Sequence, residues 1–328
     1  MKDILKYNGS LLFDSSFIVA PYDYEKEKSI KKLTPLNSNK IYNYAKEPFS
    51  IDYKKVEKLN IINGMGVTLG DSIIGICCID IIKKINPDIQ INIIRPKSCD
   101  KYVNDIYHIS QFLFNEILYM PYQLDKLNSN TVNIDIGNQL YWQDFNKLEM
   151  HDFFLRNLGV DYKSIKTEKQ NNFLQRIFPN HKDKKSNYAI FCPYASTKLR
   201  SIPEKFHKKI IRMLIEKTNM QVLGYSKIEI PGYRFIGNLT NTTHDFISVI
   251  AQSSYVYTVD SSALHISAGF EIPTYCLFTS IKPNLRSIYY PNCQSHYIGF
   301  KRVEGLHQSD DGEILREIMG NYETLFNF

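Results

Sequence analysis

Apolar and polar positions alternate along the chain in a pattern that predicts strands and helices in succession. From Lys58 the pattern is regular: an apolar run at residues 59–62, a glycine-rich turn, and then apolar residues at helical spacing up to Ile85. A second apolar run at residues 89–94 follows Pro87. Strand, helix and strand in this order predict a parallel βαβ unit, in which ligands bind beyond the carboxyl ends of the strands.

The same alternation restarts after a polar segment at about residues 163–186. Strands are predicted at residues 188–192, 220–223, 233–236, 255–259 and 274–278, and helices from Pro203 and at 144–158, 243–253, 262–270 and 309–325. Two successive βα domains follow from this pattern, one at residues 58–170 and one at residues 171–328. Residues 1–57 lack sustained periodicity and are interpreted as an irregular N-terminal extension packed on a domain.

Size and composition agree with two globular domains. The chain has 328 residues, more than one hydrophobic core usually supports, and is 43% hydrophobic and 23% charged. Its six cysteines lack C-x-x-C spacing and lie mostly in apolar runs, so we expect reduced thiols rather than disulfides or a zinc site. The N-terminus lacks an apolar signal region, and Asp80 interrupts the longest apolar stretch, so a cytoplasmic protein without a spanning helix is expected.

The net charge of +6 permits an anionic partner without naming one. The lysine-rich runs at residues 25–32 and 182–185 are interpreted as solvated loops. Binding to an anionic membrane or to nucleic acid is the minority interpretation, so we do not expect nucleic acid as a partner.

The first candidate site is the glycine-rich turn before the first predicted helix. Gly64, Gly66 and Gly70 have a spacing that weakly resembles a dinucleotide fingerprint. Asp71 argues against that function, because a carboxylate in the first helical turn would repel a phosphate there. Two interpretations of Asp71 remain: a residue that caps the helix, or a general base that deprotonates an acceptor hydroxyl.

The second candidate site follows the predicted strand at residues 188–192. Ser196 and Thr197 supply hydroxyl groups, and Lys198 and Arg200 supply positive charge just before the helix that Pro203 opens. Such a group suits a diphosphate, since arginine offers paired donors and lysine a mobile charge. An ordinary polar loop explains the same residues equally well.

The third candidate site follows the predicted strand at residues 255–259. Ser261 and Ser262 can hold an anion with their hydroxyls and with amides at the start of a helix, while Asp260 can accept hydrogen bonds from sugar hydroxyls. Alternatively, Asp260 is an N-cap and His265 merely faces its neighbours. The chain lacks a P-loop, a G-x-S-x-G elbow, an H-E-x-x-H motif and a clear D-x-D, so an ATPase, a serine hydrolase, a zinc protease and a metal-held diphosphate are not expected.

The motifs in their order along the chain resemble a known family. They are Gly70-Asp71-Ser72, Pro193-x-Ala195-Ser196, Ile202-Pro203-Glu204-Lys205-Phe206 and Asp260-Ser261-x-x-x-His265-x-x-Ala268-x-x-x-x-Pro273-Thr274. In this order they resemble the bacterial ADP-heptose:lipopolysaccharide heptosyltransferases, glycosyltransferase family 9.

The resemblance implies the α/β GT-B fold, with two Rossmann-like domains that face each other across a cleft. The N-terminal domain would bind the acceptor and the C-terminal domain the nucleotide-sugar donor. It also implies inverting transfer of heptose from ADP-heptose to a hydroxyl of a lipopolysaccharide-core or related glycan or glycolipid, without a metal or a cofactor besides this co-substrate. Work on such an acceptor would place the protein in the cytoplasm, with peripheral contact at the inner membrane.

The resemblance also implies roles for individual residues. Asp71 falls on the family's proposed base, and Arg200 falls where a lysine usually neutralises the departing diphosphate. Ser196, Thr197 and Lys198 would add phosphate contacts. Asp260 would contact the transferred sugar, the amides of Ser261 and Ser262 would hold phosphate, and His265 would support the turn.

Three departures from the family motifs keep other functions open. Tyr194 replaces the glycine of His-Pro-Gly, Ile202 replaces a tryptophan, and Ser262 replaces a glycine. A non-catalytic sugar-nucleotide-binding protein, or a transferase of this fold with another nucleotide-sugar, fits these departures. The net charge and the unusual N-terminus permit a transferase that modifies a protein or nucleic acid. An NADP-dependent reductase is a further alternative, favoured by the glycine turn and by Arg95 and Lys97 after the second strand.

Overall fold

The computed structural model describes residues 2–25, 32–128, 130–165, 169–179 and 186–326. The chain forms two compact units, Met1–Lys169 and Gln170–Phe328. Residues 26–31 and 182–185 of the two lysine-rich runs lie outside the described residues, and so do their predicted loops.

The first unit is built around a parallel sheet. Its strands and helices are β1 (Leu11–Phe13), β2 (Phe17–Val19), β3 (Leu33–Pro35), β4 (Lys58–Ile62), α1 (Leu69–Ile85), β5 (Gln90–Arg95), α2 (Lys101–Ile109), β6 (Glu116–Tyr119), β7 (Tyr122–Gln123), β8 (Val132–Asp135) and α3 (Met150–Asn157). The parallel sheet has the order β6-β5-β4-β8. Leu59, Ile61, Ile91 and Ile93 are buried, as expected for strands covered on both faces.

The predicted irregular extension is wrong in part, because it contains a small sheet of its own. Strands β1, β2 and β3 form an antiparallel sheet with β7, in the order β3-β1-β2-β7. The three strands of the extension have three residues each, too few to produce a recognisable alternation. The extension is tied to the parallel sheet through Ser10, whose amide and hydroxyl both donate to the Asp135 carboxylate at the end of β8, each at 2.8 Å.

The second unit is a parallel α/β unit. Its elements are α4 (Phe173–Ile177), β9 (Tyr188–Cys192), α5 (Glu204–Thr218), β10 (Gln221–Gly224), β11 (Tyr233–Phe235), α6 (Thr243–Ala251), β12 (Tyr255–Val259), α7 (Ser262–Gly269), β13 (Thr274–Phe278), β14 (Cys293–Tyr297) and α8 (Gly312–Leu325). The order β11-β10-β9-β12-β13-β14 runs outward in both directions from β9 and β12. The predicted α/β class with parallel sheets is thus confirmed.

Two predicted helices begin three or more residues later than expected. In place of a helix at residues 144–158, α3 begins at Met150, because the Glu149 carboxylate caps the amides of His151 and Asp152. The last helix begins at Gly312 rather than at residue 309, because the Asp311 carboxylate accepts from the first amides of α8. In both cases an acidic cap inside the apolar pattern sets the start of the helix.

All six cysteines are free thiols. Within the described ranges, no helix is both long enough and apolar enough to cross a membrane.

Candidate functional site

Three of the predicted residues meet where the strand order of the second unit reverses. Parallel α/β sheets bind ligands at this point, beyond the carboxyl ends of the two strands, which are here β9 and β12. Arg200 Nη1 donates to Asp260 Oδ2 at 3.0 Å, and Arg200 Nη2 donates to Ser196 Oγ at 2.5 Å. The guanidinium therefore joins the loop after β9 to the residue that follows β12.

Asp260 is a buried carboxylate that positive charge keeps ionised. Burial by itself would raise its pKa, but the charges of Arg200, Arg286 and His265 outweigh burial and hold the pKa below its usual range. The Asp260 side chain is only 5% exposed and that of Arg200 is 16% exposed. The site thus combines a buried anion with a cation that still reaches solvent.

Arg286 and His307 belong to the same group, and sequence reasoning did not single them out. Arg286 is buried and lies in the loop that follows the carboxyl end of β13. Burial and the charges of Arg286 and Arg200 lower the pKa of His307 to about 4, so this histidine is neutral at physiological pH. An arginine in a loop after a parallel strand was the available signal for Arg286, whereas nothing local marked His307.

The start of α7 supplies further donors. Ser261 occupies the N-cap position with an extended backbone, so the alternative in which Asp260 caps this helix is wrong. The Ser261 hydroxyl lies 3.1 Å from the Thr258 hydroxyl, and Ser262 is the first helical residue. Both serines are partly exposed. The first amides of an α-helix have no intrahelical acceptor, and they favour an anion.

The remaining predicted residues of this unit take different positions. His265 is buried in α7, with Nδ1 at 2.8 Å from the Tyr290 hydroxyl, and its carbonyl accepts from Asn171 Nδ2 at 3.0 Å. The Thr197 hydroxyl donates to the His307 carbonyl at 3.0 Å. Lys198 is exposed in a short 3₁₀ turn that ends at Arg200. His265 and Thr197 therefore stabilise the loops around the site, whereas the Lys198 side chain is exposed to solvent.

Asp71 lies in the first turn of α1, as predicted. Thr68 occupies the N-cap position, and its hydroxyl accepts from the Asp71 amide at 3.4 Å. Gly66 has φ +74°, and a Cβ built there would lie 2.8 Å from the Asp71 Cβ. A glycine at position 66 is therefore required both by the backbone conformation and by the space that the Asp71 side chain occupies.

Arg95 stabilises the glycine-rich turn through contacts with its backbone. This arginine is fully buried, donates to the Gly64 carbonyl at 2.6 Å, and stacks on the Tyr107 ring at 3.7 Å from its centroid. Because the guanidinium is committed to these contacts, it cannot reach the 2′-phosphate of NADP. Of the features that favoured a reductase, these contacts exclude Arg95 and leave the glycine turn and Lys97 untested.

No cluster of three or more histidine, cysteine or acidic residues placed to hold a metal ion occurs in the described part of the chain. Comparison with protein-family models finds no match, and comparison with curated proteins finds none either.

Solved structures do match. E. coli heptosyltransferase WaaC with ADP aligns with a TM-score of 0.51 at 11% identity, over 80% of this chain and 99% of WaaC. WaaC with ADP-2-deoxy-2-fluoro heptose gives 0.50 at 10% identity, over 82% and 99%. The dodecameric iron-containing heptosyltransferase TibC of enterotoxigenic E. coli, in complex with ADP-D-β-D-heptose, gives 0.51 at 14% identity, over 84% and 77%.

The chain has the fold of these heptosyltransferases. Together with the two parallel sheets, the match confirms the GT-B class that the motifs implied. At 10–14% identity the likeness concerns the fold, and function has to be argued from the site.

Proposed function

We propose that this protein is an inverting, metal-independent glycosyltransferase that transfers heptose from ADP-heptose to a hydroxyl of a lipopolysaccharide-core or related glycan. The observation that carries the proposal is the Arg200–Asp260–Ser196 group at the reversal of strand order. The group occurs in a fold shared with heptosyltransferases. Its residues also belong to motifs whose order along the chain resembles that of the heptosyltransferase motifs.

The donor diphosphate would bind at the end of β9 and the start of α7. Arg200 offers N–H groups in a planar fork, and Arg286 adds a second cation, which is buried. The Ser261 and Ser262 amides lie at a helix N-terminus. These groups would stabilise the negative charge that grows on the diphosphate as it leaves, which is the task of a metal ion in other transferases. Lys198 would contribute a mobile charge from solvent.

Asp260 would orient the sugar rather than the phosphate. Its carboxylate stays ionised in a buried position, so it accepts hydrogen bonds strongly and would repel a phosphate at close range. Sugar hydroxyl groups are suitable donors. Arg200 would then hold the carboxylate on one side and the diphosphate on the other.

Asp71 would be the general base. As the acceptor oxygen attacks the anomeric carbon, its proton passes to the Asp71 carboxylate, and the bond to the diphosphate oxygen breaks with its electron pair on the leaving group. A single displacement of this kind inverts the anomeric centre. A lipid-linked acceptor would bring the protein to the cytoplasmic face of the inner membrane.

A donor screen tests the proposal directly. The 328-residue chain is titrated with ADP-heptose and with GDP-, UDP- and dTDP-sugars by calorimetry, and donor hydrolysis is followed with and without EDTA. We expect ADP-heptose to bind and to react equally with and without the chelator. The absence of binding and hydrolysis for every donor would refute the proposal.

The donor site itself is tested with two arginines. Arg200→Ala should weaken binding of the donor by at least about tenfold, because a charge-assisted contact to phosphate is lost. Arg212→Ala, on the exposed face of α5, is the matched control and should bind normally. A donor that binds the native protein without transfer to any acceptor would instead support the alternative of a sugar-nucleotide-binding protein.

A further inference from the structure

Tyr194 is a large aromatic side chain exposed at the carboxyl end of β9. It lies two residues before Ser196 in the same loop, and 42% of it is exposed. The family motif that this loop resembles has glycine at this position, which offers no ring. An exposed tyrosine at the ligand-binding edge of a parallel sheet therefore needs its own explanation.

The ring is held in a fixed orientation. It packs edge to face on His207, with centroids 5.5 Å apart and an interplanar angle of 76°. Burial and the nearby charge of Glu204 raise the pKa of the Tyr194 hydroxyl. A ring packed on a buried neighbour keeps less rotamer freedom, so stacking a ligand on it would cost less side-chain entropy.

The support beneath the ring is itself rigid. His207 is buried, Nε2 donates to the Ile202 carbonyl at 2.8 Å, and Nδ1 accepts from the Ser226 hydroxyl at 2.7 Å. Burial lowers the pKa of His207, in agreement with a neutral ring that donates from one nitrogen and accepts at the other. Ser226 is fixed in turn by the Tyr233 hydroxyl, which accepts from its amide at 2.9 Å and donates to its carbonyl at 2.8 Å.

The sheet order places this ring beside the diphosphate site. Tyr194 packs on His207, which bonds to Ser226 after β10, so the ring lies toward the β10 side of β9. Arg200 reaches Asp260 on the β12 side. Neighbouring strands are about 4.8 Å apart. This strand spacing is comparable with the length of the ribose that joins a nucleobase to its diphosphate.

We propose that Tyr194 is the stacking platform for the nucleobase of the donor, and that this base is a purine. The inference rests on the proposed function, since the diphosphate bound near Arg200 is what places the base over the ring. Aromatic side chains stack on any base, and the two fused rings of a purine cover more of the tyrosine face than a pyrimidine does. Tyr194 would thereby set the preference for the nucleotide.

The test is calorimetric binding of ADP, UDP and inorganic pyrophosphate to the 328-residue chain and its variants. We expect the native protein to prefer ADP over UDP. Tyr194→Ala should weaken ADP binding about tenfold, the value typical for loss of one stacked base, and leave pyrophosphate binding unchanged. Tyr194→Phe should keep ADP affinity, because the ring stacks without its hydroxyl. Met213→Ala removes exposed apolar surface from α5 and should change nothing.

The outcomes separate this inference from the proposed function. Equal loss of ADP and pyrophosphate binding in Tyr194→Ala would show that the ring only supports the loop, and unchanged or tighter ADP binding would show that no base stacks there. Either result overturns the inference while Arg200→Ala still tests the donor site. A native protein that binds none of the three probes and none of the sugar nucleotides overturns both.

Discussion

The two units have parallel sheets whose strand order reverses once, yet they use the reversal differently. In the first unit the reversal lies between β4 and β8, and the Asp135 carboxylate there accepts from the amide and the hydroxyl of Ser10. In the second unit it lies between β9 and β12, and Asp260 pairs with Arg200. The first carboxylate is occupied by the N-terminal extension, whereas the second is paired with a partly exposed cation.

Electrostatics follows from that difference. Burial raises the pKa of Asp135, and the Ser10 and Gly137 donors together with the charge of Lys46 only partly offset the effect. Burial acts in the same direction on Asp260, but the charges of Arg200 and Arg286 reverse the outcome. A shared sheet topology therefore does not make a ligand site. The partner of the carboxylate at the reversal point decides whether this position stabilises the fold or is available to bind a ligand.

The largest effect is expected from Asp71→Asn, which tests whether the first unit contributes to catalysis through its glycine turn. Loss of a general base typically lowers turnover by about 10² to 10⁴-fold. Donor affinity should stay unchanged, because Asp71 belongs to the acceptor side of the proposed reaction. Steady-state kinetics and calorimetry measure the two quantities, with the exposed Asp88→Asn as control. A parallel loss of turnover and donor affinity would contradict this division of roles.

Removal of the charge should have different effects at Arg95 and at Arg200. Arg95→Met leaves the Gly64 carbonyl without its donor and removes the stack on Tyr107, so the free energy of unfolding should fall by about 2–4 kcal/mol. Arg200→Met should destabilise the protein less, since Arg286 still faces Asp260, but it should abolish tight donor binding. Urea unfolding and calorimetry on both variants measure the contrast. Equal destabilisation by the two substitutions would remove the distinction between a structural and a ligand-binding arginine.

Two histidines give the units different pH dependences. Burial alone would lower the pKa of His151, but the charge of Glu149, whose Oε1 lies 2.9 Å from Nδ1, raises it to about 10. The ordinary histidine value is about 6.5. The stabilisation of the folded state by protonated His151 is therefore fully present below pH 6.5 and is lost as the pH rises toward about 10. His307 has the opposite sign: its pKa of about 4 means that stability falls as the pH drops below 6.5.

Unfolding of the native protein and of Glu149→Gln from pH 6 to pH 10 tests the first sign. The native free energy of unfolding should lose up to about 1.4 kcal/mol per pH unit relative to the variant. Glutamine keeps an oxygen that can still cap α3, so the helix start is preserved. The exposed His296→Gln should keep the native slope. A Glu149→Gln profile that runs parallel to the native one would disprove the coupling.

The smallest effect is expected from a pair of serine substitutions that compares the two reversal points. Ser10→Ala deletes one donor to a buried carboxylate, so stability should fall by about 1–3 kcal/mol with donor affinity unchanged. Ser196→Ala removes an exposed hydroxyl, so stability should hold while donor affinity weakens a few-fold. Thermal unfolding and calorimetry are sufficient measurements. If Ser10→Ala changed donor affinity as much as Ser196→Ala does, the contrast between an occupied and an available site would fail.

Local patterns were enough for much of the parallel framework. The strands Tyr188–Cys192, Tyr255–Val259 and Thr274–Phe278 lie at their predicted positions, because each is a continuous apolar run between polar turns. The position of Asp71 in a first helical turn and the location of Asp260 directly after a strand were predicted for the same reason. Such features depend on side chains within a few residues of one another.

Contacts between distant residues were outside the reach of any local pattern. Arg200 and Asp260 are 60 residues apart, and they meet because β9 and β12 are neighbours in the sheet. Three other features likewise depend on contacts between distant parts of the chain. They are the burial of Arg95, the strands of the N-terminal extension, and the addition of Arg286 and His307 to the charged group. Periodicity encodes which residues form an element and which face is buried, whereas the order and register of the elements decide which side chains become neighbours.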